Sequence, residues 1–265
     1  MRRIRFTAQE LYVLAAYSEK KKMYGIPDGF AWLSVEEAAS ARQHVSDTLL
    51  NGGILSMDFD GKISVVPEYQ ELVSLYCDCK KCLTVNRQSS DGNAKNLIYW
   101  NYNGQVFQAE ADGDQYCFQE IKATDVAASV FVESWSSIDV HDDTEFIIPQ
   151  IALKKAKRTV AKGDSENAER ILRQNGADER TATVLLDGLQ EKANYLRLLL
   201  MNPNLDNCEE AEASWLNSRR ITFSLHKTEV NFRTCTCFTE VSEKDVRQGV
   251  REIVESFLMN ERGRL

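Results

Sequence analysis

The sequence predicts an α+β protein in which helices lead into antiparallel strands that one further helix closes, and in which this plan is laid down twice. Three observations carry the prediction. First, a strand-to-helix stretch recurs. Cys117-Phe118-Gln119-Glu120-Ile121 leads through Lys122-Ala123-Thr124-Asp125-Val126 into an apolar run ending Phe131-Val132-Glu133-Ser134. Cys237-Phe238-Thr239-Glu240-Val241 leads through Ser242-Glu243-Lys244-Asp245-Val246 into a run ending Ile253-Val254-Glu255-Ser256. A strand and helix that recur at a fixed offset suggest an internal duplication. Second, Asn103-Gly104 and Asp112-Gly113 separate aromatic and β-branched runs, the strongest short-range signal of hairpins. Third, Thr7 with Glu10, and Ser34 with Glu37, form capping boxes that open helices. The chain thus reads as a single domain, 1–265, with a first half of 1–140, a second half of 141–265, and a pseudo-two-fold relation between them.

In chain order, the Thr7 cap starts a helix through Leu11, Leu14 and Ala15 to about Lys21. Ser34 starts a second that Gly52-Gly53 stops. Asp60-Gly61 turns a small hairpin between Ile54–Phe59 and Lys62–Val66, and a helix from Pro67 to about Tyr76 follows. The aromatic meander comes next: Leu83–Arg87, Leu97–Tyr102, Gln105–Glu110 and Gln115–Ile121. A helix from Asp125 to Trp135 closes the half. The second half reads as a helix over Phe146–Ala161 and another over Ser165–Gln174. Asp178 caps a third, with Val184, Leu185, Leu189, Ala193, Leu196 and Leu200 at helical spacing. A short helix over Glu209–Asn217 precedes the strands Arg220–Leu225 and Val230–Thr239, and Ser242 caps a last helix ending near Asn260.

The 265 residues suffice to bury a sizeable core. The hydrophobic share is 43% and the charged share 27%. Both are ordinary for a soluble globular protein. The net charge of −8 argues against a general nucleic-acid binder. No stretch approaches the roughly 20 apolar residues of a membrane span. The residues after Met1–Arg5 lack the apolar run of a signal peptide. A cytoplasmic protein with seven free thiols is the expectation.

Candidate chemistry is sparse. Cys77-Asp78-Cys79-Lys80-Lys81-Cys82 holds a C-x-x-C that only Cys235 and Cys237 could complete for zinc, and no ligand-spaced histidine accompanies it. Asp58-Phe59-Asp60-Gly61 lacks the further carboxylates of a calcium loop. Val140-His141-Asp142-Asp143 has no nucleophile signature beside it, and no phosphate-binding glycine loop occurs. The reading is therefore a non-enzyme with no cofactor and no metal. Lys154, Lys155, Lys157, Arg158 and Lys162 form a basic helical patch, either a solvated face or a contact for an acidic partner. In the meander, Tyr99 lies on one strand face and Trp100 and Tyr102 on the other. If helices cover only one side of the sheet, the other is free as a protein-binding surface; the alternative is that these aromatics are core.

The layout resembles the EspG family of type VII secretion chaperones. Phe6-Thr7-Ala8-Gln9-Glu10-Leu11 is similar to that family's opening "L-T-x-x-E-L". The likeness continues in the helix stop Leu50-Asn51-Gly52-Gly53-Ile54-Leu55, in the aromatic meander, and in the strand pair and final helix from Arg220 to Leu258. The resemblance implies a quasi-two-fold α+β fold, with a central antiparallel sheet flanked by helical subdomains. It also implies a cytosolic adaptor that keeps a helical secreted substrate soluble for export by covering the apolar tip of a helical hairpin. The cysteines and the Lys- and Glu-rich character depart from mycobacterial members and point to a Gram-positive relative. The residues expected to meet the partner are Trp100, Tyr102, Phe107, Leu189 and Tyr195. A second copy of the chain is the other protein partner considered. The competing reading is a transcriptional regulator whose winged helix, Thr7 to Tyr76, would place Ser34–Leu50 in the major groove.

Overall fold

The computed structural model describes residues 4–131, 135–136 and 145–259. Val140–Asp143, residues 132–134 of the first repeat copy, Asn260 and the 140/141 boundary lie outside them. The first half runs β1 (Ile4–Thr7), α1 (Ala8–Tyr17), α2 (Val35–Asn51), a small hairpin β2 (Leu55–Met57) and β3 (Ile63–Val65), then α3 (Pro67–Cys77). The meander β4 (Lys81–Gln88), β5 (Ala94–Tyr102), β6 (Gln105–Asp112) and β7 (Gln115–Ile121) follows, and α4 (Val126–Val130) closes it. The second half repeats the order: β8 (Glu145–Pro149), α5 (Gln150–Val160), α6 (Ser165–Gln174), α7 (Glu179–Leu189), β9 (Asn194–Met201), β10 (Glu209–Ser218), β11 (Ile221–Val230), β12 (Arg233–Glu240) and α8 (Glu243–Leu258).

Ten strands form one antiparallel sheet in the order β1-β7-β6-β5-β4-β9-β10-β11-β12-β8. The halves meet at β4 and β9, where Val85 pairs with Leu198. Outward from this seam each half presents its four meander strands, and each ends on the strand that opened it, β1 on β7 and β8 on β12. The fold is quasi-two-fold α+β, as the sequence led us to expect.

The local chemistry fixes the helix starts. Glu10 N–H donates to Thr7 Oγ1 at 3.1 Å and Thr7 N–H donates to Glu10 Oε2 at 2.7 Å. These are the two arms of the capping box. Ser34 with Glu37, and Ser242 with Asp245, repeat the motif. The repeat copies both fold as strand then helix, although the first begins with a 3₁₀ turn over Ala123–Asp125.

Helices cover both faces of the sheet, so the condition for a wholly free face is not met. On one face α4 and α8 pack over Leu83, Val85, Tyr99, Leu196, Leu198, Leu200 and Trp215. Gly249 lets α8 come close, since a Cβ there would sit 2.8 Å from the Trp215 ring. On the opposite face the first half carries a lobe of α1, α2 and α3 over Trp100, Phe107 and Phe118. The second half carries a lobe of α5, α6 and α7 over Leu216, Phe223 and Phe238.

Five elements differ from the sequence expectation, the first being the helix expected over Asp125–Trp135: α4 ends at Val130 and Phe131 is extended. Ile4–Thr7, expected only as lead-in to the first helix, is strand β1. Phe146–Pro149 is part of strand β8 rather than the start of a helix. The third helix stops at Leu189, and Asn194–Met201 is strand β9. Glu209–Ser218 is strand β10 rather than a helix. The Glu- and Ala-rich Glu209-Glu210-Ala211-Glu212-Ala213 favours helix locally. Pairing of this segment with β9, in a strand whose remainder Ser214–Ser218 is also held by β11, overrides it.

Candidate functional site

Between the two lobes, the middle of the sheet is left partly open. β9 shows why. Asn194, Leu196, Leu198 and Leu200 are buried, the three leucines under α8, while the alternate residues Tyr195, Arg197, Leu199 and Met201 are half-buried on the lobe side. A strand turns successive side chains to opposite faces, so these four line one stripe. The register sets Thr84 beside Leu199, Asn86 beside Arg197 and Gln88 beside Tyr195. On the other flank Glu212 lies beside Leu199 and Ser214 beside Arg197. The result is a trough four strands wide, from β5 to β10, or roughly 14 Å at about 4.8 Å per strand.

The trough is mixed in polarity. Arg197 Nε donates to Glu212 Oε1 at 2.7 Å, with side chains 37% and 26% exposed. Asn86 Nδ2 donates to Asn96 Oδ1 at 2.6 Å. Leu199 is the apolar centre, with Met201 packing toward the first lobe and Tyr195 toward the second. Such a surface can hold an amphipathic segment: apolar side chains over Leu199, polar ones against the Arg197–Glu212 pair.

At one end the seam is pinned by a polar network. Lys81 Nζ donates to Glu210 Oε1 at 2.7 Å and to the Ser256 carbonyl at 2.8 Å. Ser256 Oγ donates to Glu210 Oε1 at 2.6 Å, and Asn202 Nδ2 to Glu210 Oε2 at 3.0 Å. Burial would push the Glu210 carboxyl up. The hydrogen bonds from Lys81, Ser256 and Asn202 outweigh it and hold the carboxyl below its ordinary value.

The five residues expected to meet a partner are divided. Trp100 is fully buried, stacked on Phe118 at 5.5 Å with its indole N–H donating to the Tyr24 carbonyl at 2.9 Å. Phe107 is 5% exposed in the same core. These two form no surface, because the α1–α3 lobe sits on them. Tyr102 is half-buried against that lobe, and Leu189 and Tyr195 are half-buried against the other. Of the five, Tyr195 alone lines the trough. Sequence reasoning misses Arg197, Leu199 and Met201, because Leu196 and Leu200 fit helical spacing. The alternation of Tyr195, Arg197 and Leu199 with Leu196, Leu198 and Leu200 is the strand signal available.

The cysteines considered for zinc are held apart. Cys82 lies on β4 and Cys235 and Cys237 on β12, four places along the sheet. At the usual strand spacing that is about 19 Å. Burial pushes the Cys77 and Cys79 thiols up to about 12 and raises the Cys82 thiol well above its ordinary value, so they stay protonated at neutral pH. Among the described residues, no group of three or more His, Cys, Asp or Glu could hold a metal ion. No helix among them is long and apolar enough to cross a membrane.

The helix assigned to DNA in the competing reading is poorly equipped for it. The Arg42 guanidinium lies 5.2 Å from the ring centres of both Tyr12 and Phe30, a cation–π arrangement. The other ionisable residues exposed on α2 are His44 and the acids Glu36, Glu37 and Asp47, and the acids repel phosphate.

No protein-family model matches the chain, and no curated protein matches it. Among solved structures, the fold is similar to that in the structure of the Mycobacterium tuberculosis type VII secretion system chaperone EspG5 in complex with a PE25-PPE41 dimer. The identity is 12%, the TM-score 0.50, and the match covers 96% of each chain. The chain therefore shares the EspG fold along nearly its whole length.

Proposed function

We propose that this protein is a cytoplasmic, non-enzymatic chaperone of a type VII secretion pathway, and that it seats a helical secreted substrate in the trough between its lobes. The observation that carries this reading is the half-open β9 stripe of Tyr195, Arg197, Leu199 and Met201 in an otherwise covered sheet. An α-helix with side chains is about 10–12 Å across, which suits a floor whose outer strand axes lie roughly 14 Å apart to one helix or the tip of a helical hairpin. The fold shared with EspG5 supports the reading, since that chaperone was captured with a PE25-PPE41 dimer. Tyr195 would meet the substrate at the second lobe, Leu189 would support that lobe from behind, and Trp100 and Phe107 would support the opposite lobe from within.

The test is capture from cells that express the chain together with type VII substrates, followed by mass spectrometry of the bound proteins. A soluble complex with a helical secreted protein is expected, and Leu199→Asp should abolish it without unfolding the chaperone. Recovery of no helical substrate, or equal recovery by Leu199→Asp, would sink the proposal. The trough reading also takes the halves 1–140 and 141–265 as products of a duplication. Each supplies an edge strand, three main helices, a four-strand meander and a closing helix.

A further inference from the structure

The β11–β12 hairpin holds a contradiction of local rules. Its two-residue loop is Asn231-Phe232, between the paired Val230 and Arg233. Both loop residues have positive φ, 50° and 60°. That is the pattern of a type I′ turn, whose second position favours glycine. The β5–β6 hairpin has the same pattern and does carry glycine, with Asn103 at 51° and Gly104 at 81°. At Phe232, as at Arg220 (φ 64°) in the two-residue β10–β11 turn, the chain accepts left-handed backbone for a bulky residue. It also leaves the ring 98% exposed. The strand pairing up to Val230 and Arg233 imposes the backbone geometry, but nothing in the fold covers the ring. An outlier of this kind points to use of the side chain outside the fold.

The surroundings say what kind of contact it serves. Pro149 pairs with Cys235, so α5 begins beside the end of the hairpin, and Gln150 Nε2 reaches Thr236 Oγ1 at 3.5 Å. The first turn of α5 exposes Ile151 at 78%. Beyond it come Lys154, Lys155, Lys157, Arg158 and Lys162, none with an ion-pair partner among the described residues, the acids Glu166 and Glu169 of the neighbouring α6 included. On the hairpin itself Lys227 and Glu229 share one face, and Arg233, paired with Val230, lies on the other beside the tip. This is a cationic corner on a chain of net charge −8.

We infer that this corner docks on an anionic lipid surface, with Phe232 and Ile151 entering the acyl boundary and the α5 cations meeting lipid phosphates. A convex apolar tip beside a run of unpaired cations is complementary to a broad anionic surface with an apolar interior. A nucleic acid offers no apolar layer to receive Phe232. The inference stands on the hairpin and α5 alone and does not depend on the trough.

The test is co-sedimentation of the full chain with vesicles of pure phosphatidylcholine, and of phosphatidylcholine mixed with phosphatidylglycerol, at low and high salt. Binding to the anionic vesicles alone, weakened by salt, is expected. Phe232→Gly should lower partitioning by about tenfold, from the lost apolar insertion, while its thermal midpoint stays at or above the wild-type value because glycine suits the turn. Lys154→Gln with Lys155→Gln should lower partitioning by roughly 25-fold, at about fivefold per cation. No binding to anionic vesicles at low salt would overturn the inference, as would binding that neither variant weakens. Retention on an immobilised polyglutamate peptide without vesicle binding would overturn it in favour of an acidic protein segment.

Discussion

Glu210→Gln is expected to destabilise the protein more than Lys81→Met, although both break the same ion pair. The reason lies in what each leaves behind. The Lys81 side chain is 9% exposed, against 23% for Glu210. With the negative charge gone, the ammonium is left with neutral acceptors alone, the carbonyl and hydroxyl of Ser256 and the new amide oxygen, and is nearly dry. Removing one partner of a buried pair costs about 3–5 kcal/mol. The partial exposure of the Glu210 side puts this case at the low end, about 3 kcal/mol. Lys81→Met leaves Glu210 bonded to Ser256 and Asn202 and better solvated, for about 1–2 kcal/mol. The double variant removes both charges and should fall within about 1 kcal/mol of wild type. Urea unfolding of the four proteins at pH 7 measures the cycle. Additive single effects, or a Lys81→Met cost at or above that of Glu210→Gln, would refute the reasoning. The pH dependence follows from the same network. The folded Glu210 carboxyl is held below its unfolded value, so its contribution is complete above the ordinary carboxylate range. That contribution is lost as pH falls through the lower folded value. The wild type should thus lose more stability on acidification than Glu210→Gln.

Trp100→Ala should cost about 3–5 kcal/mol in the same assay, since it empties a fully buried site. It also orphans the Tyr24 carbonyl. Gly25→Ala should lower the thermal midpoint. At φ 80° the added Cβ would stand 2.6 Å from Ile98 Cγ2 and 2.9 Å from Cys82 Sγ. With a thiol reagent at pH 8, the half-exposed Cys117 and Cys208 should react first, and Cys77, Cys79 and Cys82 only on unfolding. Fast labelling of five or more thiols in the folded state would contradict that assignment. Two fragments split at 140/141 and co-expressed should reassemble through β4 and β9, as gel filtration would show; failure to associate would count against two self-contained halves.

The first half is largely legible in the sequence because its signals are local. Capping residues, Asx-Gly turns and the Gly52-Gly53 stop each act within a few residues, and they place α1, α2, β5, β6 and β7 closely. The second half resists such reading where identity depends on distant partners. β9 is rich in leucine and follows a helix without a glycine or proline between them, and β10 is rich in glutamate and alanine. Only the sheet on either side makes them strands. Reading β9 as helix removes the trough from view, since β9 is its floor. Burial of Trp100 and Phe107 is equally out of reach, because it depends on a lobe built from residues far away in sequence. The Phe232 tip is hidden for another reason: Asn-Phe does not announce a tight turn, and its geometry emerges from the pairing of Val230 with Arg233.

The strand order also bears on how the chain reaches its native state. Within each half, successive meander strands are neighbours in sequence and can zip up locally, whereas Val85 and Leu198 must find each other across the length of a small domain. Loop-closure entropy makes such long-range pairing the slow step. The two meanders are therefore expected to form early, with β4 and β9 joining late. Until they join, each meander presents an unpaired inner edge, the state in which strands of different molecules can pair wrongly. Refolding yield should then fall with protein concentration, and more steeply in variants that slow the closing of the seam.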